Sequence, residues 1–146
     1  MNGEIRWDGG VRFRAQSGSG HMLVLDGPPA AGGTNAGVRP MELVLLGVGG
    51  CASYDVVTIL QKSRVQVTGC TARVEAERAP APPKVFTRLH LHFVVEGQDL
   101  PESKVARAVH LSADKYCSAS IMLHRGGVEV THSFEVVETG PAGASA

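Results

Sequence analysis

The sequence is short of charge imbalance, long apolar runs and cofactor motifs, and each shortage removes a class of function. Lys and Arg total 14 and Asp and Glu total 14 over 146 residues, leaving no formal net charge. Nucleic acids and anionic membrane surfaces are recognised through clustered Lys and Arg, so neither is expected as a main partner. The longest apolar run, Leu43 to Val48, falls far short of the ~20 residues of a membrane-spanning helix. The stretch from Met1 to Trp7 has no basic region followed by an apolar one, so no signal peptide is expected. The loop from Gly27 to Gly37 carries neither a Gly-x-Gly-x-x-Gly pattern nor a Walker-type lysine, so nucleotide binding has no support and no cofactor is expected. No Cys-x-x-Cys occurs, and the three cysteines are an odd number. That fits a reducing cytoplasm better than a disulfide framework.

What remains is an ordinary globular composition, with 43% hydrophobic and 19% charged residues. A chain of this length buries a core without staples. Period-two alternation and turn signals predict individual strands with helices between them. Ile5 to Arg14 and His21 to Asp26 are expected as strands joined by Ser17-Gly18-Ser19-Gly20. The Gly- and Ala-rich stretch Ala30 to Val38 is expected as a loop, of a kind that is often functional and often merely mobile. Pro40 and Glu42 suit the first turn of a helix running to about Arg64. Its apolar residues lie almost all the way round, which predicts burial on every side and therefore a homodimer. Val65 to Ala79 and Phe86 to Glu96 are expected as an antiparallel pair with one wet face. A second helix is expected from Pro101 to about Leu123 and a last strand over Val128 to Val137. The expected organisation is one domain over residues 1–138 and a flexible tail over 139–146.

Three kinds of residue could carry chemistry. Cys51 lies in the long helix just after Gly49-Gly50, whose lack of side chains could open space for a substrate. Cys117 precedes the small residues Ser118-Ala119-Ser120, a plausible crossing point for another helix. Taken alone, each thiol fits a buried core position better than a reactive one. Cys70 has no charge or small-residue cluster beside it and is expected to be structural. Arg39 and Glu42 are the electrostatic candidates, since a guanidinium favours a thiolate and a carboxylate can hold the guanidinium. Arg12 and Arg14 are alternatives. Nine residues of regular helix separate Glu42 from Cys51 by about 13 Å on opposite faces, so direct contact requires a break near Gly47 to Gly50. Asp55 shares the face of Cys51 one turn on, where its charge would raise a thiol pKa. His90 and His92 could form a metal pair on one strand face, but no further ligand follows at a zinc-like spacing. They are read as members of a polar face, and His21 as an ordinary strand-start histidine.

Taken together, Pro40-Met41-Glu42-Leu43, then Gly49-Gly50-Cys51, then Asp55-Val56-Val57-x-Ile59-Leu60 resemble the first cysteine helix of the OsmC/Ohr family. Tyr116-Cys117-Ser118-Ala119-Ser120 resembles its second. The resemblance spans roughly Ile5 to Val137. It implies an α+β fold of antiparallel sheets packed on two cysteine-bearing helices and two intertwined protomers with active sites at their interface. It also implies thiol-dependent reduction of organic hydroperoxides, an antioxidant activity. Cys51 would be the peroxidatic cysteine, Cys117 the resolving cysteine, and Glu42 the carboxylate that pairs with a catalytic arginine, for which Arg39 lies nearest the motif. A dithiol would be the reductant. The alternative is a non-catalytic dimer that binds a small apolar molecule and keeps its thiols inert.

Overall fold

The computed structural model describes residues 1–140. It divides into two compact units, Met1–Val44 and Leu45–Ala146. The first unit holds an antiparallel three-stranded sheet of β1 (Gly3–Trp7), β2 (Phe13–Ser17) and β3 (Met22–Leu25). The single strand expected from Ile5 to Arg14 is thus two strands. Asp8-Gly9-Gly10 turns the chain between them, with Gly9 and Gly10 at φ of 91° and 54°. Glycine adopts these left-handed angles without steric cost, and Asp-Gly is a strong hairpin signal.

After β3 the chain folds around one carboxylate. Asp26, almost wholly buried, accepts hydrogen bonds from the N–H groups of Gly27, Thr34 and Ala36 at 2.8–3.0 Å and from the Thr34 hydroxyl at 2.8 Å. The Ala36 N–H, the Thr34 hydroxyl and the Gly27 and Thr34 N–H groups stabilise the anion far more than burial destabilises it. The carboxyl is held far below its ordinary range. The loop expected to be functional or mobile is therefore a turn built on an aspartate.

Helix α1 (Pro40–Lys62) bridges the two units without a break. Val48, Gly49, Ala52, Val56 and Leu60 are its buried residues, one stripe at the spacing of a helix face. Burial on every side is not what the single chain shows, since Leu46 and Tyr54 are 59% and 73% exposed. By length and composition α1 is sufficient to cross a bilayer, with mean hydropathy 1.8. The run from Leu43 to Val48 understates this because uncharged Gly, Ala, Ser and Thr continue the apolar stretch. A core helix has the same composition.

The second sheet joins β4 (Gln66–Arg78) to β5 (Phe86–Gln98) antiparallel, and β5 to β6 (Glu129–Glu138) parallel. The parallel pairing needs a crossover, supplied by two helices in place of the single one expected. Helix α2 (Glu102–Leu111) widens into a π-helical turn over Ser112–Tyr116, and α3 (Ser118–Arg125) follows. Leu89, Leu91, Phe93 and Val95 of β5, Val105 and Val109 of α2, and the α1 stripe make the core of this unit. Thr139, expected to begin a loose tail, donates its N–H to the Gly97 carbonyl at 2.8 Å. Residues 141–146 of that tail lie outside the described residues.

Candidate active site

Cys117 owes its position to the end of α2. The widened π turn brings the Cys117 N–H to the Ser112 carbonyl at 2.8 Å. The chain then leaves helical geometry at Cys117, with φ −68° and ψ 98°. Cys117 is thus not inside a helix, as its neighbours suggested, but caps the N-terminus of α3. Its Sγ accepts the Ser120 N–H at 3.5 Å, a bond the four unpaired N–H groups of a helix start require. The side chain is fully buried and its Sγ lies 4.0 Å from the Val48 carbonyl of α1. Ser112, also buried, donates its hydroxyl to the Ala52 carbonyl at 3.1 Å and ties the π turn to α1 beside Cys51.

These contacts bring the two expected cysteines together. The Sγ atoms of Cys51 and Cys117 and a carboxylate oxygen of Asp55 all lie within 4.8 Å of one another. Both cysteines are free. Gly49 explains how α1 comes so close to the sheet: a Cβ there would stand 2.7 Å from Cγ2 of Val74 on β4. Gly49 is therefore a packing position and does not open space for a substrate, while Gly50 has nothing within 4 Å of that point.

The start of α3 sets the electrostatics of the pair. Partial burial opposes ionisation of Cys51. The Ala119 N–H, the Cys117 thiol and the Ser118 hydroxyl at 3.8 Å favour it more strongly, and the thiol falls below its ordinary pKa although the Asp55 charge pushes the other way. Cys117 is pushed up, first by burial and further by Cys51, against the opposing contacts of Ser120. The two sulfurs are thus made unequal, a part-exposed thiol that ionises more readily facing a buried one that ionises less readily.

Ser118 and the Ala119 N–H are the activating groups that sequence reasoning missed. A Cys-Ser-Ala-Ser stretch can be read as a helix start, and that was the available signal. Asp55 completes the site. Burial raises its pKa, and its Oδ2 is buried with no hydrogen-bond partner. A cavity of about 520 Å³ opens beside it, with Lys62, Lys104, Arg107 and Tyr116 in its lining. The three donor atoms of Cys51, Asp55 and Cys117 are close enough to share an ion, but these three cations oppose the entry of one.

The other candidates are placed as follows. Glu42 accepts the Arg39 backbone N–H at 2.9 Å and its guanidinium at 3.2 Å, the reciprocal bond of a helix N-terminus. The Arg39 guanidinium also reaches Asn35 Oδ1 at 3.2 Å. Arg12 and Arg14 are both held by Asp8 at 3.1 Å. Unbroken helix at Gly47 to Gly50 means that the bend needed for Glu42 to touch Cys51 is absent. Cys70 is a part-buried strand residue of β4, and burial raises its pKa. The His90 nitrogens meet Thr131 and Ser133 hydroxyls at 2.8 Å, and His92 meets Ser133 at the same distance. His21 bonds Ser19 in its own turn.

Known proteins resemble this chain in sequence and fold. The family description "OsmC-like protein" matches residues 33–133. Protein YhfA of Escherichia coli K12 is 45% identical over 140 residues, which cover 94% of this chain and 98% of that one. A crystal structure of a protein from Aquifex aeolicus VF5 superimposes with a TM-score of 0.82 at 26% identity, covering 95% of this chain and 97% of the other. An organic hydroperoxide resistance protein OsmC from Legionella pneumophila shares the fold, with a TM-score of 0.67 at 20% identity over 93% and 98% of the two chains. The α+β architecture, the paired cysteines and this similarity over most of the chain place the protein in the OsmC-like family.

Proposed function

We propose that this protein reduces organic hydroperoxides through Cys51 and Cys117. The observation that carries the reading is the approach of two free sulfurs within 4.8 Å with their ionisation pushed in opposite directions. The Cys51 thiolate attacks one peroxide oxygen. An S–O bond forms, the O–O bond breaks, and the departing alkoxide takes a proton to leave as alcohol. Cys117 then attacks the sulfenic sulfur of Cys51. An S–S bond forms, the S–O bond breaks, and water leaves. An external dithiol returns both thiols by exchange, and its own sulfurs carry away the disulfide.

A lowered Cys51 pKa favours this reading over a ligand-binding dimer with inert thiols, which needs no thiolate. Glu42 is the motif's carboxylate and Arg39 the guanidinium it holds, and this pair is the candidate for binding or orienting the peroxide. The exposed apolar residues Leu46 and Tyr54 of α1 support a homodimer in which a second copy covers that helix. Free cysteines support a reducing, cytoplasmic setting. A stoichiometric dose of cumene hydroperoxide should consume both thiols and yield a Cys51–Cys117 bridge in mapped peptides. Cys51→Ser should abolish turnover, and Cys117→Ser should stop at a sulfenic acid that dimedone traps. Absence of both the bridge and dithiol-dependent peroxide consumption would sink the reading.

A further inference from the structure

Asp55 has a buried oxygen without a partner, an arrangement that costs stability unless something uses it. It stands one helical turn after Cys51 on α1, and one of its carboxylate oxygens lies within 4.8 Å of both sulfurs. Cys117 presents the matching problem. To attack Cys51 it must lose its proton, yet its side chain has no exposure through which water could take it. Its other close neighbours do not solve this. The Ser120 N–H is a donor to the sulfur, and the Val48 carbonyl 4.0 Å away accepts a hydrogen bond but not a proton.

We propose that Asp55 is the general base of disulfide formation, taking the Cys117 proton as that sulfur attacks the oxidised Cys51. The assignment rests on the two-cysteine reading above. In the step, the Cys117 S–H bond breaks and its proton passes to the Asp55 carboxylate. The sulfur's electron pair makes the S–S bond, and the group on Cys51 leaves with its own pair, hydroxide in the peroxide reaction and a thiolate in disulfide exchange. Cys117 rises from thiol to disulfide level, and the sulfenic sulfur of Cys51, or the departing thiolate sulfur in exchange, falls by the same amount. The proton then leaves Asp55 for the cavity beside it. The titratable groups that line this cavity with Asp55 are Lys62 of α1, Lys104 and Arg107 of α2, and Tyr116 of the π turn. Burial raises the Asp55 pKa and so brings the acceptor nearer to the thiol it serves. The same carboxylate opposes ionisation of Cys51, so its removal frees the first step while impairing the second.

That split is the test. In a Cys70→Ser background, 5,5′-dithiobis(2-nitrobenzoate) releases one thionitrobenzoate when Cys51 attacks and a second when Cys117 resolves the mixed disulfide. Asp55→Asn should keep or accelerate the first phase and slow the second by roughly 100-fold at pH 7, the scale of general base catalysis. In the unsubstituted protein the second phase should reach its plateau as a carboxylate ionises. In Asp55→Asn it should keep rising into the thiol range. A second phase within about twofold of the parent, or an equal slowing of both phases, overturns the assignment. So does a parent second phase that follows thiol ionisation with no earlier plateau, a measurement that needs no variant to fold. The reagent contains no peroxide, so the two readings fail separately. The split without peroxide turnover overturns the peroxidase and keeps the base, and turnover without the split does the reverse.

Discussion

Two aspartates with the same chemistry have opposite surroundings. Asp26 ends β3 and receives four hydrogen bonds, three of them from backbone N–H groups that would otherwise be unpaired. Asp55 lies on α1 with one oxygen buried and unpartnered. The first carboxyl is driven down in pKa and the second up. A satisfied buried charge organises backbone, whereas a carboxylate with an unpaired oxygen destabilises its charged form and so titrates higher.

The largest effect expected on this contrast comes from Asp26→Ala. Three backbone N–H groups lose the acceptor that gathers them, and the melting temperature should fall by on the order of 10 °C. A melting curve within a degree or so of the parent would remove the organising role. Asp55→Asn should act in the other direction and more weakly, raising the melting temperature by a few degrees at neutral pH.

The pH dependences have opposite signs. Both groups start from an ordinary value of 3.8. Asp26 titrates below it when folded, so its contribution is present above 3.8 and lost as pH falls toward the folded value. Asp55 titrates above it, so its contribution is full below 3.8 and lost as pH rises through the folded value. The gain from Asp55→Asn should therefore vanish near pH 3 in thermal melts, and a gain that persisted there would break the comparison. Thr34→Val should have the smallest effect, about 2–4 °C, because Asp26 keeps its three backbone donors.

Much of this was legible in the sequence, but not evenly. Alternation in Arg73 to Glu77 and Arg88 to Phe93 marks β4 and β5 because each strand buries alternate side chains. Pro40 and Glu42 mark the start of α1, and the capping bond of Glu42 to the Arg39 N–H is what such a pair does locally. The break at Cys117 is not marked, because Ser112 to Tyr116 is as compatible with an α-helix as with the wider turn. Parallel pairing of β5 with β6 was hidden too, since alternation records which face is buried and not which strand lies beside it. The approach of the two cysteines depends on both of these features, so neither cysteine's own neighbours could reveal it. Asp26 shows the limit at the other end. An Asp before a Gly and Pro stretch signals a turn, but not that residues eight and ten positions on return to its carboxylate.

The parallel pairing has a consequence for the order in which the site comes into being. A crossover is anchored at its far end only when β6 lies along β5, and β6 is the last strand of the chain. On the ribosome both thiols are made before that strand emerges. The groups that lower the Cys51 pKa, the Ser118 hydroxyl and the Ala119 N–H, travel with the crossover. A nascent chain therefore carries two ordinary cysteines. The inequality between them appears only once β6 has joined β5.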